Sequence, residues 1–247
     1  MDGLRAPVQT YLDHGYGDIR GMSSRFSALV LAHLMAAQTQ AGIAGGAAEI
    51  GTFEGRLFIA MGLSLAPHER LFGADSFDWP DAGVEDRLRA NIAAHGLDGA
   101  TATIWRGDSK TIEPATILAA LGGPARIIHV DGDHTDEALT ADLALAEAVT
   151  MPQGLIVLDD MLHPIYPLLV LTVQRFLDAH ADWQVAAVID RESLAGATKF
   201  VLARRDMAGF VLTALQRRLP EVLVAGAAHF PGYIAPIVSP TPALPVL

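Results

Sequence analysis

Short apolar runs alternate with helical patterns along most of this chain, and that alternation leaves few folds open. The runs are residues 47–50, 70–74, 102–105, 127–130 and 155–158. Helical patterns lie between them at 55–65, 84–95, 112–121 and 137–149. Strands that alternate with helices predict a parallel sheet with crossover helices, doubly wound because right-handed crossovers place helices on both faces. Past residue 160 the rhythm changes. Residues 164–180 predict a helix with Leu168, Leu171, Phe176 and Leu177 buried, followed by strands at 183–189 and 198–203. The loop 190–197 between those strands is too short for a crossover, so the sheet should end in an antiparallel hairpin. The expected fold class is therefore α/β, a mostly parallel seven-stranded sheet with an antiparallel terminal hairpin.

Three segments follow from this. Residues 1–45 form a lead-in, irregular over its first twenty residues and helical from Ser23, with Phe26, Leu29, Val30, Leu34 and Met35 on one face. Residues 46–205 form the main domain. Residues 206–247 hold a last helix at 207–218 and a proline-containing apolar tail. Val222, Leu223, Val224, Phe230, Tyr233, Ile234 and Ile237 in that tail must cover either their own domain or a neighbour, from which we expect a homo-oligomer.

Charge narrows the choice of partners. Against 28 acidic residues there are 17 basic ones, a net of −11. Nucleic acid and anionic membrane surfaces call for a basic face, so neither is the expected partner. The absence of cysteine removes disulfides, thiolate metal sites and thiol nucleophiles. The N-terminal residues do not read as a secretory signal, and the apolar stretch 26–37 is too short to span a bilayer. A cytoplasmic protein is the expectation.

Ligands of open parallel sheets sit beyond the carboxyl ends of the strands, so the residues there carry the chemistry. After the first strand comes Glu49-Ile50-Gly51-Thr52-Phe53-Glu54-Gly55, either a cofactor loop or a glycine-rich turn. Its spacing differs from the dinucleotide fingerprint. After the second come Asp75 and Ser76, a ribose acceptor or exposed loop residues. After the third, Asp108 and Ser109 either flank an adenine or cap the next helix. The fourth and fifth strands deliver Asp131, Asp133 and His134 with Asp159 and Asp160 to one edge. Carboxylates held close repel one another, and a hard divalent cation is the simplest relief, helix capping being the alternative. His134 beside such a cation is a candidate general base. His129 points to the opposite side of the sheet from Val130 and reads as structural. His163 and Tyr166 are candidates for a pocket wall. Ser23, Ser24 and Ser193 lack a nucleophile-elbow context, so acyl transfer has no support.

This set of segments resembles the class I S-adenosylmethionine-dependent methyltransferases, and within them the metal-dependent O-methyltransferases of the catechol and macrolide-sugar type. The resemblance covers roughly residues 45–205. It implies an S-adenosylmethionine site at Glu49, Gly51, Thr52 and Gly55 for the methionine end, Asp75 with Ser76 for the ribose, and Asp108 with Ser109 beside the adenine. It also implies a divalent cation, expected to be Mg²⁺, on Asp131, Asp159 and Asp160. His134 takes the place of the general base, and Asp131 borders both the cofactor and the catalytic site. The expected activity is methyl transfer to a hydroxyl of a small molecule. A non-catalytic binding module is the alternative. A nucleotide-dependent dehydrogenase fits less well, since the G-x-G-x-x-G turn is missing and the sheet ends antiparallel.

Overall fold

The computed structural model describes residues 3–97, 99–192, 197–219 and 226–240. Its elements run α1 (Ala6–Thr10), α2 (Arg25–Gln40), β1 (Gly46–Ile50), α3 (Arg56–Ser64), β2 (Leu71–Asp75), α4 (Val84–Ala94), β3 (Ala102–Arg106), α5 (Pro114–Leu121), β4 (Ala125–Val130), α6 (Asp136–Val149), β5 (Thr150–Met161), α7 (Leu169–Ala179), β6 (Trp183–Ile189), β7 (Thr198–Arg204), α8 (Ala208–Arg218), β8 (Gly226–Phe230) and β9 (Tyr233–Val238). The strands form one sheet in the order β3-β2-β1-β4-β5-β7-β6-β9-β8. β1 to β5 pair in parallel, and β7 runs antiparallel to both β5 and β6.

The expected α/β class and the antiparallel β6–β7 pair are present, but the described residues hold nine strands rather than seven. The tail supplies the other two. It folds back as a β8–β9 hairpin, and β9 extends the sheet beside β6 through Val188 with Ile237 and Ile189 with Val238. Pro231 escapes the usual penalty for proline in a sheet by sitting in the hairpin turn. Val222, Leu223 and Val224 lie outside the described residues. The first twenty residues are also not irregular: α1 continues through a π turn, Tyr11–Gly15, into a short 3₁₀ turn, with Val8, Tyr11, Leu12 and Tyr16 buried.

Two apolar layers flank the sheet. One packs the N-terminal segment, α2, α3 and α8 against Ala47, Ile127, Val157 and Val201. The other packs α5, α6 and α7 against Ala48, Ile128, Ile156 and Leu202. Local chemistry sets the helix starts. Ser24 accepts from the Ser27 N–H at the head of α2, Thr135 accepts from Ala138 at the head of α6, and Pro114 opens α5. In α7 the buried stripe is Leu169, Thr172, Val173 and Phe176; Phe176 is buried and Leu177 partly buried as expected, but the first turn is one step out of phase. Leu168 and Leu171 are 67% and 54% exposed, because the helix begins at Leu169 rather than 164 and its face is set from there.

Candidate active site

The loops after β1 and β4 are drawn together by backbone geometry. Gly51 adopts a left-handed φ of +84°, and a Cβ there would lie 1.8 Å from the Asp131 carbonyl oxygen. Only glycine allows that approach. The Asp131 N–H donates to the Ile50 carbonyl at 2.8 Å, locking the loop after β4 against the end of β1. Gly55, φ +91°, opens α3 without a side-chain cap, which leaves first-turn N–H groups facing the loop. Asp75 ties the neighbouring loops: one oxygen accepts from Phe53 N–H at 2.7 Å and the other from Phe77 N–H at 2.8 Å. Ser76 is exposed. Asp108 is exposed too and caps the turn at 109–111 by accepting from Lys110 N–H at 3.0 Å.

Beneath these loops, on the α2 face, runs a buried polar row contributed by four strands. Glu49 Oε1 meets His129 Nδ1 at 2.9 Å. The Lys199 ammonium meets His129 Nε2 at 3.1 Å, Ser23 Oγ at 2.9 Å and the Asp159 carboxylate. Lysine has three N–H donors, and here all three have acceptors if His129 carries its proton on Nδ1. Burial, helped by the Lys199 charge, lowers the His129 pKa to about 3, so the imidazole is neutral. Burial works to raise the Asp159 pKa, but the ammonium outweighs it and holds this carboxylate below its usual range. Glu49 is pushed well up by burial and the nearby Asp131. Its second oxygen and the Thr52 hydroxyl are buried without hydrogen-bond partners.

Above the row lies the open edge. His134 Nε2 rests against Asp160 Oδ2 and 3.8 Å from Asp131 Oδ1. Its ring stacks on Tyr166 at 4.2 Å between centroids, and His163 lies 5.3 Å beyond on the same tyrosine. Burial works to lower the His134 pKa, but the nearby carboxylates of Asp131 and Asp160 prevail and raise it to about 10. Asp131 is shifted up by burial and by Asp159. Asp160 and Leu162 hold left-handed φ values of +58° and +59°, a conformation an aspartate tolerates but one that strains Leu162, and the turn they form presents Asp160 to His134.

The geometry thus brings Asp131, His134 and Asp160 together, with Tyr166 as their wall, while Asp159 faces Lys199. His129 sits on the face expected from the sequence and links Glu49 to Lys199. Lys199 and Ser23 were not foreseeable as site residues. The only sign of the lysine is a charge inside the apolar strand Thr198–Arg204, on the same face as Val201.

Two groups the sequence points to can be tested against these side chains. The buried, unpartnered oxygens of Glu49 and Thr52 suit a ligand that brings a donor, such as the ammonium of a methionine moiety, and the uncapped start of α3 suits a carboxylate. Three-ligand sets for a cation occur as Asp131, His134, Asp160 and as His129, Asp131, Asp159, each with donor atoms within 4.8 Å of one another. The Lys199 ammonium already bridges His129 and Asp159 of the second set. The first set is partly exposed and oxygen-rich, which suits a hard cation.

A mostly parallel sheet with an antiparallel seventh strand, glycine-turned at its first loop and acidic at the fourth and fifth, is a Rossmann-like methyltransferase fold. Residues 48–161 match the family model described as a methyltransferase domain. That segment matches as a methyltransferase domain, and the chain as a whole shares its fold with S-adenosylmethionine-dependent O-methyltransferases. Its fold is shared by the O-methyltransferase TomG from Streptomyces achromogenes, involved in tomaymycin synthesis and solved with S-adenosylmethionine. That chain is 21% identical, with a TM-score of 0.55, over 83% of this chain and 91% of that one. An O-methyltransferase from Bacillus cereus, solved with S-adenosylhomocysteine, is 16% identical, with a TM-score of 0.57, over 82% and 92%. No curated protein sequence matches the chain. Among the described residues, no helix is long and apolar enough to cross a membrane.

Proposed function

We propose that this enzyme transfers the methyl group of S-adenosylmethionine to a hydroxyl oxygen of a small molecule. The observation that carries the reading is the joining of the two half-sites: the loop bearing Asp131 and His134 is hydrogen-bonded to the end of β1, where the cofactor loop begins. Glu49, Gly51, Thr52 and Gly55 would hold the methionine end, Asp75 and Ser76 the ribose, and Asp108 and Ser109 the adenine. In the transfer the bond from sulfonium sulfur to methyl breaks as the oxygen–methyl bond forms. The hydroxyl proton leaves to His134. With both carboxylates against it this imidazole holds its proton, so it serves as the base in the state where Asp131 and Asp160 are engaged elsewhere and the ring is neutral. Tyr166, stacked on His134, fixes the ring's plane.

A divalent cation, Mg²⁺ being the chemically simplest, belongs on the open set of Asp131 and Asp160 beside His134. When bound it would lower the pKa of the acceptor hydroxyl. The reading also includes a homo-oligomer, which light scattering at working concentration tests directly.

The experiment is calorimetry with S-adenosylmethionine and S-adenosylhomocysteine, then transfer of labelled methyl to a panel of phenols and hydroxylated sugars. His134→Ala should lower kcat by about 100-fold or more, the usual worth of a positioned base, with S-adenosylhomocysteine affinity within about threefold of wild type. Failure to bind either cofactor form overturns the reading. Binding without transfer to any acceptor leaves a non-catalytic module.

A further inference from the structure

Lys199 is among the largest fully buried side chains, and its ammonium occupies the place between His129 Nε2 and Asp159 Oδ2 where a metal ion on the closed ligand set would bond. All three of its N–H groups are used, on Ser23, His129 and Asp159. The remaining Asp159 oxygen accepts from the Asp160 N–H at 2.8 Å. Ser23 is itself covered, because Tyr16 donates to the Ser23 carbonyl at 3.0 Å and fastens the N-terminal segment over the pair. An ion entering here would have to displace a sealed ammonium or sit beside it against like charge, and a dication feels that repulsion doubly. Separating the buried pair would also leave a lone charge in the protein interior.

We propose that Lys199 is a resident cation: it holds Asp159 out of divalent-metal coordination and confines any ion to the open edge at Asp131 and Asp160. The chain thereby keeps one positive charge fixed under the acceptor site whether or not metal is present. Lys199 touches neither cofactor loop nor open edge, so it is a positioning residue acting through Asp159. The inference rests on the proposed reading only in naming the site, and its test does not need an acceptor.

The test is Mn²⁺ binding to the purified full chain, read by the electron paramagnetic resonance of free Mn²⁺. The variants are Lys199→Met, the milder Lys199→Gln that keeps a donor for Ser23, and each of these combined with Asp159→Asn. Freed from its partner, Asp159 becomes an additional carboxylate. Either Lys199 variant should therefore bind Mn²⁺ tenfold or more tightly than wild type, or bind it where wild type shows none. Adding Asp159→Asn should return affinity to the wild-type level. A purely structural lysine would not give that reversal. Equal or weaker binding in the folded Lys199 variants overturns the proposal, as does a tenfold loss on Asp159→Asn alone in the wild-type background. S-adenosylhomocysteine calorimetry on the same samples reports separately on the methyltransferase reading, which can fail while the Mn²⁺ comparison stands.

Discussion

Asp142 shows what a single misplaced charge costs. It lies on α6 below Gly132, with both carboxylate oxygens buried and no well-formed hydrogen bond to either. Burial raises its pKa to about 6 against the pull of the nearby Ser109 hydroxyl, and the charges of Asp108 and Asp133 add to the rise. An acid with a raised folded pKa is neutral in both states below its unfolded value near 4, so it carries no penalty there. As pH climbs from about 4 to about 6 the unfolded chain gives up its proton first, and stability falls. Above that window the full penalty of about 2–3 kcal/mol persists, from roughly two pKa units at 1.36 kcal/mol each. Asp142→Asn should recover about that much in urea unfolding at pH 7.5 and almost nothing at pH 4. At this scale the sequence is legible where a residue follows a strand end, as Glu49, Gly51, Asp131, His134 and Asp160 do. Lys199 is not, because alternation names the face a side chain points to but not its partners. Those partners, Ser23, His129 and Asp159, come from three distant stretches of chain.

Elements are joined at the opposite end of the sheet by a second buried charge. Arg126, at the start of β4, donates to the Met35 carbonyl at 2.7 Å, to Gly45 at 3.1 Å and to Glu69 at 2.7 Å. Glu69 in turn accepts from the Gly45 and Ala66 N–H groups. One ion pair thus holds the end of α2, the turn before β2 and the foot of β4. Arg126→Met should cost about 3–5 kcal/mol by denaturant unfolding, since it strands Glu69 as an unpaired buried charge. Adding Glu69→Gln, which removes the charge and keeps an acceptor, should restore part of the loss. The first five strands and their crossover helices could be read because each is an apolar run bounded by turn residues. The β8–β9 hairpin could not. Gly226–Phe230 is small and half exposed, and Pro236 interrupts the apolar pattern of Tyr233–Val238. Its pairing with β6 comes from tertiary contact rather than local periodicity. The phase of the first turn of α7 was missed for a related reason: the strained turn through Asp160 and Leu162 delays the helix start.

On the scale of the whole molecule, a cofactor that bridges loops from four strands should couple binding to global stability. S-adenosylhomocysteine at about 100 times its Kd should add about 2.7 kcal/mol, a rise in Tm of roughly 5–10 °C for a chain of this size. A scan that shows no shift at saturating ligand would remove the bridging role of these loops. The same separation of tasks shapes the far end of the sheet. The candidate site draws on β1, β4 and β5, with β7 beneath them, whereas the β8–β9 hairpin lies beyond β6, on the side away from those strands. What the hairpin covers is the outer rim of β6, where Val188 and Ile189 offer backbone groups to any strand that comes near. Proteolytic loss of the hairpin would therefore leave the catalytic apparatus in place while uncovering a template for edge-to-edge aggregation, so that solubility and turnover are guarded by different parts of one chain.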